Sequence, residues 1–296
     1  MMICVSCSGG GEGGGSSSQP EPPSLAIFST VAVRDIAVDG TGTVYALDAL
    51  RKVHRINPAG ADTTFASFGD SALTFLGGIA ADDAGNAFVT RWDQCPPPAT
   101  LCVQRAEIDR VDPSGNISPL PITTSSDGSG TDLGLLGAIT RSPMGDLYFD
   151  TNVPVFPSAG AIRRLTSAGD ITRVDNNPAG AMTVDSSGTL YFVRSRTVSK
   201  FMGPGMFAFV GGPFSAPAGV AVDAAGDVYV SDVTEHVVRK IAPSGTVTVI
   251  AGTSNVPGFA AGPLPGLLDS PTRLAIHGPD LYIVARGAIV VVHNVP

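Results

Sequence analysis

One short pattern returns along this chain and restricts what it can fold into. An apolar, strand-like run ends in a tight turn at IAVDGTG (36–42), IAADDAG (79–85), ITRSPMG (139–145), MTVDSSG (182–188) and VAVDAAG (220–226), with a weaker sixth copy, LAIHGPD, at 274–280. A second strand follows each time: VYALD, AFVTR, LYFDT, LYFVR, VYVSD and LYIVA. The turn glycines Gly42, Gly85, Gly145, Gly188 and Gly226 stand 43, 60, 43 and 38 residues apart. A second turn recurs after a third strand, as NPAG (57–60), DPSG (112–115), SAG (167–169), GPG (203–205) and APSG (242–245). The cleanest whole unit, 217–252, reads as four short strands rich in β-branched residues, and no helical period fits it. Such an antiparallel meander cannot bury both of its faces alone, so it needs neighbours of its own kind.

A period near forty residues with four strands per unit is that of a β-propeller blade, and the longer spacings mark loop insertions. The first turn occurs six times and the second five times, because the sequence stops at His293–Pro296, where the sixth would begin. The last unit therefore has three strands of its own. The strand-like segment Leu25–Thr30 belongs to no complete unit. It is the natural fourth strand of the last blade, and that pairing closes the ring. The expected fold is all-β: a six-bladed β-propeller of four-stranded antiparallel blades over 24–296, the last blade closed by the N-terminal strand. Residues 1–23 form a Gly/Ser-rich tether.

The unit at 217–252 resembles an NHL-repeat blade, and the loop AGTSNVPGFAAGPLPGLLDSPTRLAI after it resembles the Gly- and Pro-rich connector between such blades. The resemblance covers about 25–296 and implies a propeller. NHL propellers serve many functions, so it implies no single activity.

Net charge is −8 with 15% charged residues, so no broad basic surface exists, which argues against nucleic acid and anionic membranes as partners. No apolar run approaches the roughly 18 residues of a membrane helix. Near the start, Cys7 follows a small residue and precedes a Gly/Ser tether, which resembles the beginning of a mature bacterial lipoprotein whose cysteine carries the lipid. On that reading the domain is exported, as a membrane-anchored lipoprotein or a periplasmic or extracellular protein, and touches a membrane only through its lipid. The plainer alternative is a flexible tail with incidental cysteines. Cys95 and Cys102 flank an insertion in the second unit that also holds the one tryptophan. No histidine lies nearby and the spacing is no zinc pattern, so a disulfide is expected there, in keeping with export.

Propeller sites usually sit where loops share one rim of the central channel. The repeat places Asp48 and Arg51; Arg91, Trp92 and Asp93; Asp150 and Asn152; Arg194 and Arg196; Asp232, Glu235 and His236; and Arg286 after the second strands, with Arg34 and Arg273 among the residues that enter the channel. These are the candidate ligand-binding residues. A rim that is polar because it is wet would look the same. Gluconolactonase-like propellers, similar in architecture, hold a divalent metal with a Glu, Asn and Asp set at the channel mouth. No Glu or Asn stands at the equivalent positions here, and two arginines there disfavour a cation. Streptogramin-lyase-like propellers carry Trp in most second strands and use a His-containing site, whereas these second strands carry Tyr or Phe and the histidines are scattered. No Ser-His-Asp set, phosphate loop or nucleotide fingerprint is present. The recurring Asp39, Asp82, Asp185 and Asp223 evoke calcium, but an Asp opening a β-turn bonds its own backbone, and that is the expected role.

Together these features lead to a binding or protein-interaction scaffold of the cell envelope, monomeric, without cofactor or metal. Its partner would be a protein or a small-molecule or carbohydrate ligand. The alternative is a propeller enzyme, a gluconolactonase-like hydrolase or a streptogramin-lyase-like lyase, working at the channel mouth.

Overall fold

The computed structural model describes residues 21–69, 72–95, 103–125, 133–153, 156–203 and 205–296. Cys4, Cys7 and most of the tether lie outside the described residues, as does Cys102.

Six sheets follow one another in chain order. Blade one holds β2 (Val33–Val38), β3 (Val44–Asp48), β4 (Lys52–Ile56) and β5 (Asp62–Ser67). Blade two holds β6 (Thr74–Ala81), β7 (Ala87–Gln94), β8 (Val103–Val111) and β9 (Ile117–Pro119). Blade three is β11 (Leu135–Arg141), β12 (Leu147–Val153), β13 (Phe156–Leu165) and β14 (Asp170–Asp175), with the short β10 (Thr124–Ser125) laid parallel on its outer edge. Blade four is β15 (Ala181–Val184), β16 (Leu190–Arg194), β17 (Thr197–Gly203) and β18 (Met206–Gly211). Blade five is β19 (Pro217–Val222), β20 (Val228–Asp232), β21 (Val237–Ile241) and β22 (Val247–Ala251).

Blade six takes three strands from the end of the chain, β24 (Pro271–His277), β25 (Asp280–Ala285) and β26 (Ala288–His293). Its fourth is β1 (Ser24–Ser29), with β23 (Gly262–Pro263) outside it. The expected closure is therefore present. Leu25, Ala26 and Ile27 pair antiparallel with Val292, Val291 and Val290. No helix occurs among the described residues. Most of the stretch 151–160 belongs to the extended ends of β12 and β13, so blade three has a long central hairpin.

The recurring turns form as the sequence requires. Asp39 Oδ1 accepts from the Thr41 and Thr43 N–H groups at 2.9 and 3.0 Å. Asp82 does the same with Ala84 and Asn86, Asp185 with Ser187 and Thr189, and Asp223 with Ala225 and Asp227. The carboxylate takes up backbone donors that a tight turn leaves over. Gly226 ends its turn at φ 84°, a conformation that costs glycine nothing.

The core is a ring of six clusters, one between each pair of neighbouring blades. Strand alternation splits β1 between two of them. Leu25, 1% exposed, packs with Tyr229 and Val238 of blade five, while Ala26 and Phe28 pack toward blade one. The Phe28 ring meets Tyr282 edge-on at 4.9 Å.

Deleting residues 1–20 is expected to leave the melting temperature unchanged. Deleting 1–30 removes β1 and the burial of Leu25, worth about 1.5–3 kcal/mol by itself, together with the ladder to β26. A loss of several kcal/mol is expected, read as a fall of roughly 10 °C or more or as aggregation through the bare edge of β26. Equal melting of both truncations and the full chain would refute the closure's energetic role.

Candidate functional site

The six inner strands line the central channel, and residues at matching positions form layers. One layer holds Asp35, Gly78, Ala138, Ala181, Gly219 and Arg273, one from each blade. Four of these are small because the blades come close. A Cβ added to Gly219 would run into the Thr272 carbonyl and the Ser231 hydroxyl. The next layer is apolar throughout: Ile36, Ile79, Ile139, Met182, Val220 and Leu274, all buried. Beyond it a cavity of about 200 Å³ is lined by three residues from every inner strand.

Arg273 is the centre of the charged layer. Its Nη1 donates to the Ala218 carbonyl at 2.9 Å and the Gly180 carbonyl at 3.3 Å, and its Nε lies 3.5 Å from Asp35 Oδ1. One side chain thus ties blade six to blades five, four and one. Asp35 also accepts from the Ile36 and Ile79 N–H groups at 3.0 and 3.1 Å. Burial raises the Asp35 carboxyl above the ordinary carboxylate range, against the pull of Arg273 and the two N–H groups.

Asp150 lies beside this layer, on β12. Blades two and five carry hydroxyls at its repeat position. Thr90 donates to the Gly137 carbonyl of blade three at 2.7 Å while accepting from the Gly78 N–H at 2.8 Å, and Ser231 donates to the Thr272 carbonyl of blade six at 2.6 Å. Asp150 likewise accepts from the backbone N–H of Ala138, but its buried Oδ1 has no hydrogen-bond partner among the described residues. A carboxyl can imitate the donating hydroxyl only when protonated. Burial pushes it up to about 7, with the Ala138 N–H and Arg273 pulling the other way.

At the outer end, a cavity of about 460 Å³ opens over the seam between blades six and one. Its walls include Arg34, Arg273 and Arg286 and the apolar Val33, Ala218 and Val284, with no carboxylate among the described residues that line it. The seam itself is held by the Val33 N–H donating to the Gly287 carbonyl at 2.7 Å.

The remaining rim candidates do not converge. Asp48 Oδ1 accepts from the Leu50 and Lys52 N–H groups, and its Oδ2 faces His54 Nε2 at 3.3 Å. Asp232 accepts from the Ser215 and Ala216 N–H groups and faces Arg239. Glu235 binds the Ser215 hydroxyl and Arg239, which together hold its carboxyl below the usual range. Arg91 pairs with Glu107 and Asp109 inside blade two. Trp92 stacks on Phe75, ring centroids 4.2 Å apart, and Asp93 accepts from the Thr74 hydroxyl at 2.7 Å. Arg194 pairs with Asp175 and Arg196 donates to the Phe214 carbonyl at 2.6 Å. Arg51 donates to the Gly69 carbonyl at 3.1 Å, and His236 Nδ1 accepts the Ser270 N–H at 3.0 Å. Asn152, near the end of β12, pairs with Leu135. Arg51, Ser195, His236 and Arg286 lie in the hairpin after the second strand of four blades, all with left-handed φ, between 50° and 63°. Their left-handed backbones serve the turn and set where each side chain leaves the chain. Among the described residues no three His, Cys, Asp or Glu side chains form a group that would hold a metal ion.

Sequence reasoning placed Arg34 and Arg273 at the channel but missed Asp35. The signal was in the repeat alignment, where a column of small residues is broken by charge in two adjacent blades.

No protein-family model matches the chain, and no curated protein sequence matches it. Many solved structures share its architecture. A gluconolactonase from Xanthomonas campestris aligns over 93% of this chain and 95% of its own at 16% identity, with a TM-score of 0.66. An auxiliary nutrient binding protein from Bacteroides thetaiotaomicron aligns over 91% and 76% at 14% identity, with a TM-score of 0.64. A streptogramin B lyase aligns over 92% and 97% at 14% identity, with a TM-score of 0.56. Identities this low show the fold alone.

For Asp150 the folded pKa of about 7 stands above the ordinary 3.8, so the folded state holds a proton that the unfolded state has released. Its contribution to stability is full below about pH 4, falls as pH rises and is gone above about 7. Asp150→Asn, which keeps shape and a donor, is expected to flatten this slope and to raise stability at pH 8 by about 2–4 kcal/mol. Urea unfolding at pH 5 and pH 8 reads it. An identical slope in protein and variant would show that Asp150 does not titrate in this range.

Proposed function

We propose that this propeller is a non-catalytic binding module of the cell envelope that takes a small-molecule ligand at the channel mouth. The observation that carries the reading is the 460 Å³ cavity over the blade six–blade one seam, a volume within the range of small-molecule sites. Its walls combine apolar surface with a few polar groups on strands and the turns between them, which suits binding. The rim carboxylates Asp48 and Asp232 are held by turn N–H groups instead of facing a common point. The auxiliary nutrient binding protein among the structural neighbours is in keeping with such a role. Export, a lipid on Cys7 and a Cys95–Cys102 disulfide belong to the same reading and rest on the sequence.

A second reading, a propeller hydrolase or lyase, is favoured by one observation: a buried carboxyl beside the channel's charged layer, Asp150, raised to about 7, as a general acid would be. One set of measurements separates the two. Purified protein is screened for thermal shift against sugars, sugar lactones and organic acids, analysed for bound metals, and assayed for lactone opening. Binding without turnover is expected. Turnover of a lactone, lost on Asp150→Ala with the fold intact, would establish the enzyme reading in its place.

Export makes its own prediction. Protein recovered from the native envelope is expected to carry Cys95 and Cys102 oxidised, which would contribute about 2–3 kcal/mol through closure of a short loop. Alkylation followed by mass spectrometry decides it, and two free thiols would count against export.

A further inference from the structure

The outer cavity sets itself apart from the rest of an acidic protein. The chain carries a net charge of −8, yet three of the nine described residues that line this cavity are arginines, and among these nine none is Asp or Glu. The three guanidinium groups are not equally engaged. Arg273 is fastened on its inner side to two carbonyls and Asp35, and its Nη2 has no partner among the described residues. Arg34 is exposed, donates through Nη2 to the Leu76 carbonyl at 2.9 Å, and forms no close salt bridge among the described residues, although the Asp35 carboxyl feels its charge. Arg286 shares one nitrogen with Asp269 at 3.0 Å, and its side chain is 82% exposed, so that pair is loosely held. Donors therefore remain on all three, on two sides of one seam.

We infer that the seam cavity receives an organic oxyanion, a carboxylate or phosphate carried on a small apolar body, gripped by Arg34 and Arg286 above Arg273. The fork of a guanidinium fits two oxygens of either anion, and such charge-assisted bonds are about twice as strong as neutral ones. Val33, Ala218 and Val284 supply the apolar wall that an inorganic ion would not use. Ser270 and Thr272 at the same wall add short polar groups able to orient the ligand. The inference rests on the binding reading above and names the chemistry that this site selects.

The test uses the full chain and four probes: benzoate, phenyl phosphate, the neutral benzamide and inorganic phosphate. Isothermal titration calorimetry at low salt is expected to show binding of benzoate or phenyl phosphate, and the tighter of the two identifies the anion. Benzamide and inorganic phosphate are expected to bind at least tenfold more weakly. Arg34→Gln and Arg286→Gln are each expected to weaken the organic anion roughly tenfold, and raising the salt should weaken it further. Both side chains are exposed, so circular dichroism should report intact folds. Arg110→Gln, at an exposed site on blade two away from the cavity, should leave binding as it is. Benzamide bound as tightly as benzoate, with no effect of either arginine, would overturn the anion inference and leave the binding reading standing. Inorganic phosphate bound as tightly as phenyl phosphate would overturn the apolar-body part. If the four probes and the sugars and lactones of the wider screen all fail to bind, both readings fall together.

Discussion

The pairing of β1 with β26 is the interaction on which the rest of the structure depends. Five blades are made of consecutive chain and could form locally. The sixth exists as a four-stranded sheet only because Leu25–Ile27 lie against Val290–Val292, at the opposite end of the sequence. That ladder removes the open edge of β26 and places Leu25 in one inter-blade cluster and Phe28 in the next. It also fixes where the outer cavity lies. Arg34 follows β1 by a few residues, whereas Arg273 and Arg286 belong to the last blade, so the three meet only in a closed ring. The candidate site is thus a product of closure and could not be assembled by any single blade.

Carboxylates in this chain divide by what their neighbours leave them to do. In the repeated turns, Asp39, Asp82, Asp185 and Asp223 each accept two backbone N–H groups at 2.8–3.0 Å, within two to four residues of themselves. Hydrogen bonds to a charged group contribute roughly 1.5–3 kcal/mol each, and an N–H left bare in a buried turn would cost a similar amount. Asp48 and Asp232 serve the adjoining hairpins in the same way. These six aspartates serve backbone geometry and leave no carboxylate oxygens gathered at one point. Asp35 and Asp150 are different. Both sit among inner-strand atoms where burial dominates, and both are raised.

This division explains how much the sequence could disclose. The blade count, the strand order and the closing strand were legible because each depends on a local pattern or on one leftover segment. The aspartate turns were legible because their partners lie two and four residues away. The rim was not. Which of Asp48, Arg91, Arg194 or Glu235 reaches a common point depends on cross-strand partners such as Glu107 for Arg91 and Asp175 for Arg194, and on the left-handed hairpin residues that aim Arg51 and His236. None of these is fixed by position in a repeat. The charged layer of Asp35 and Arg273 falls between the two cases. Its residues occupy one repeat column, but nothing short of a closed ring makes the first and last members of that column neighbours.

The position of Arg273 also limits what a ligand can do. Three of its contacts run to carbonyls of blades four and five and to Asp35 of blade one. A ligand that drew the guanidinium outward would leave two carbonyls and a buried carboxylate without it, and the cost of orphaned buried polar groups would exceed what one new ion pair returns. Arg273 therefore acts as the floor of the outer cavity, contributing field from a fixed place. Arg34 and Arg286 are the movable walls, since each is exposed and held by a single contact. A site with a fixed charged floor and two mobile arginines can adjust to ligands of different size while keeping one requirement constant, negative charge facing inward over the seam.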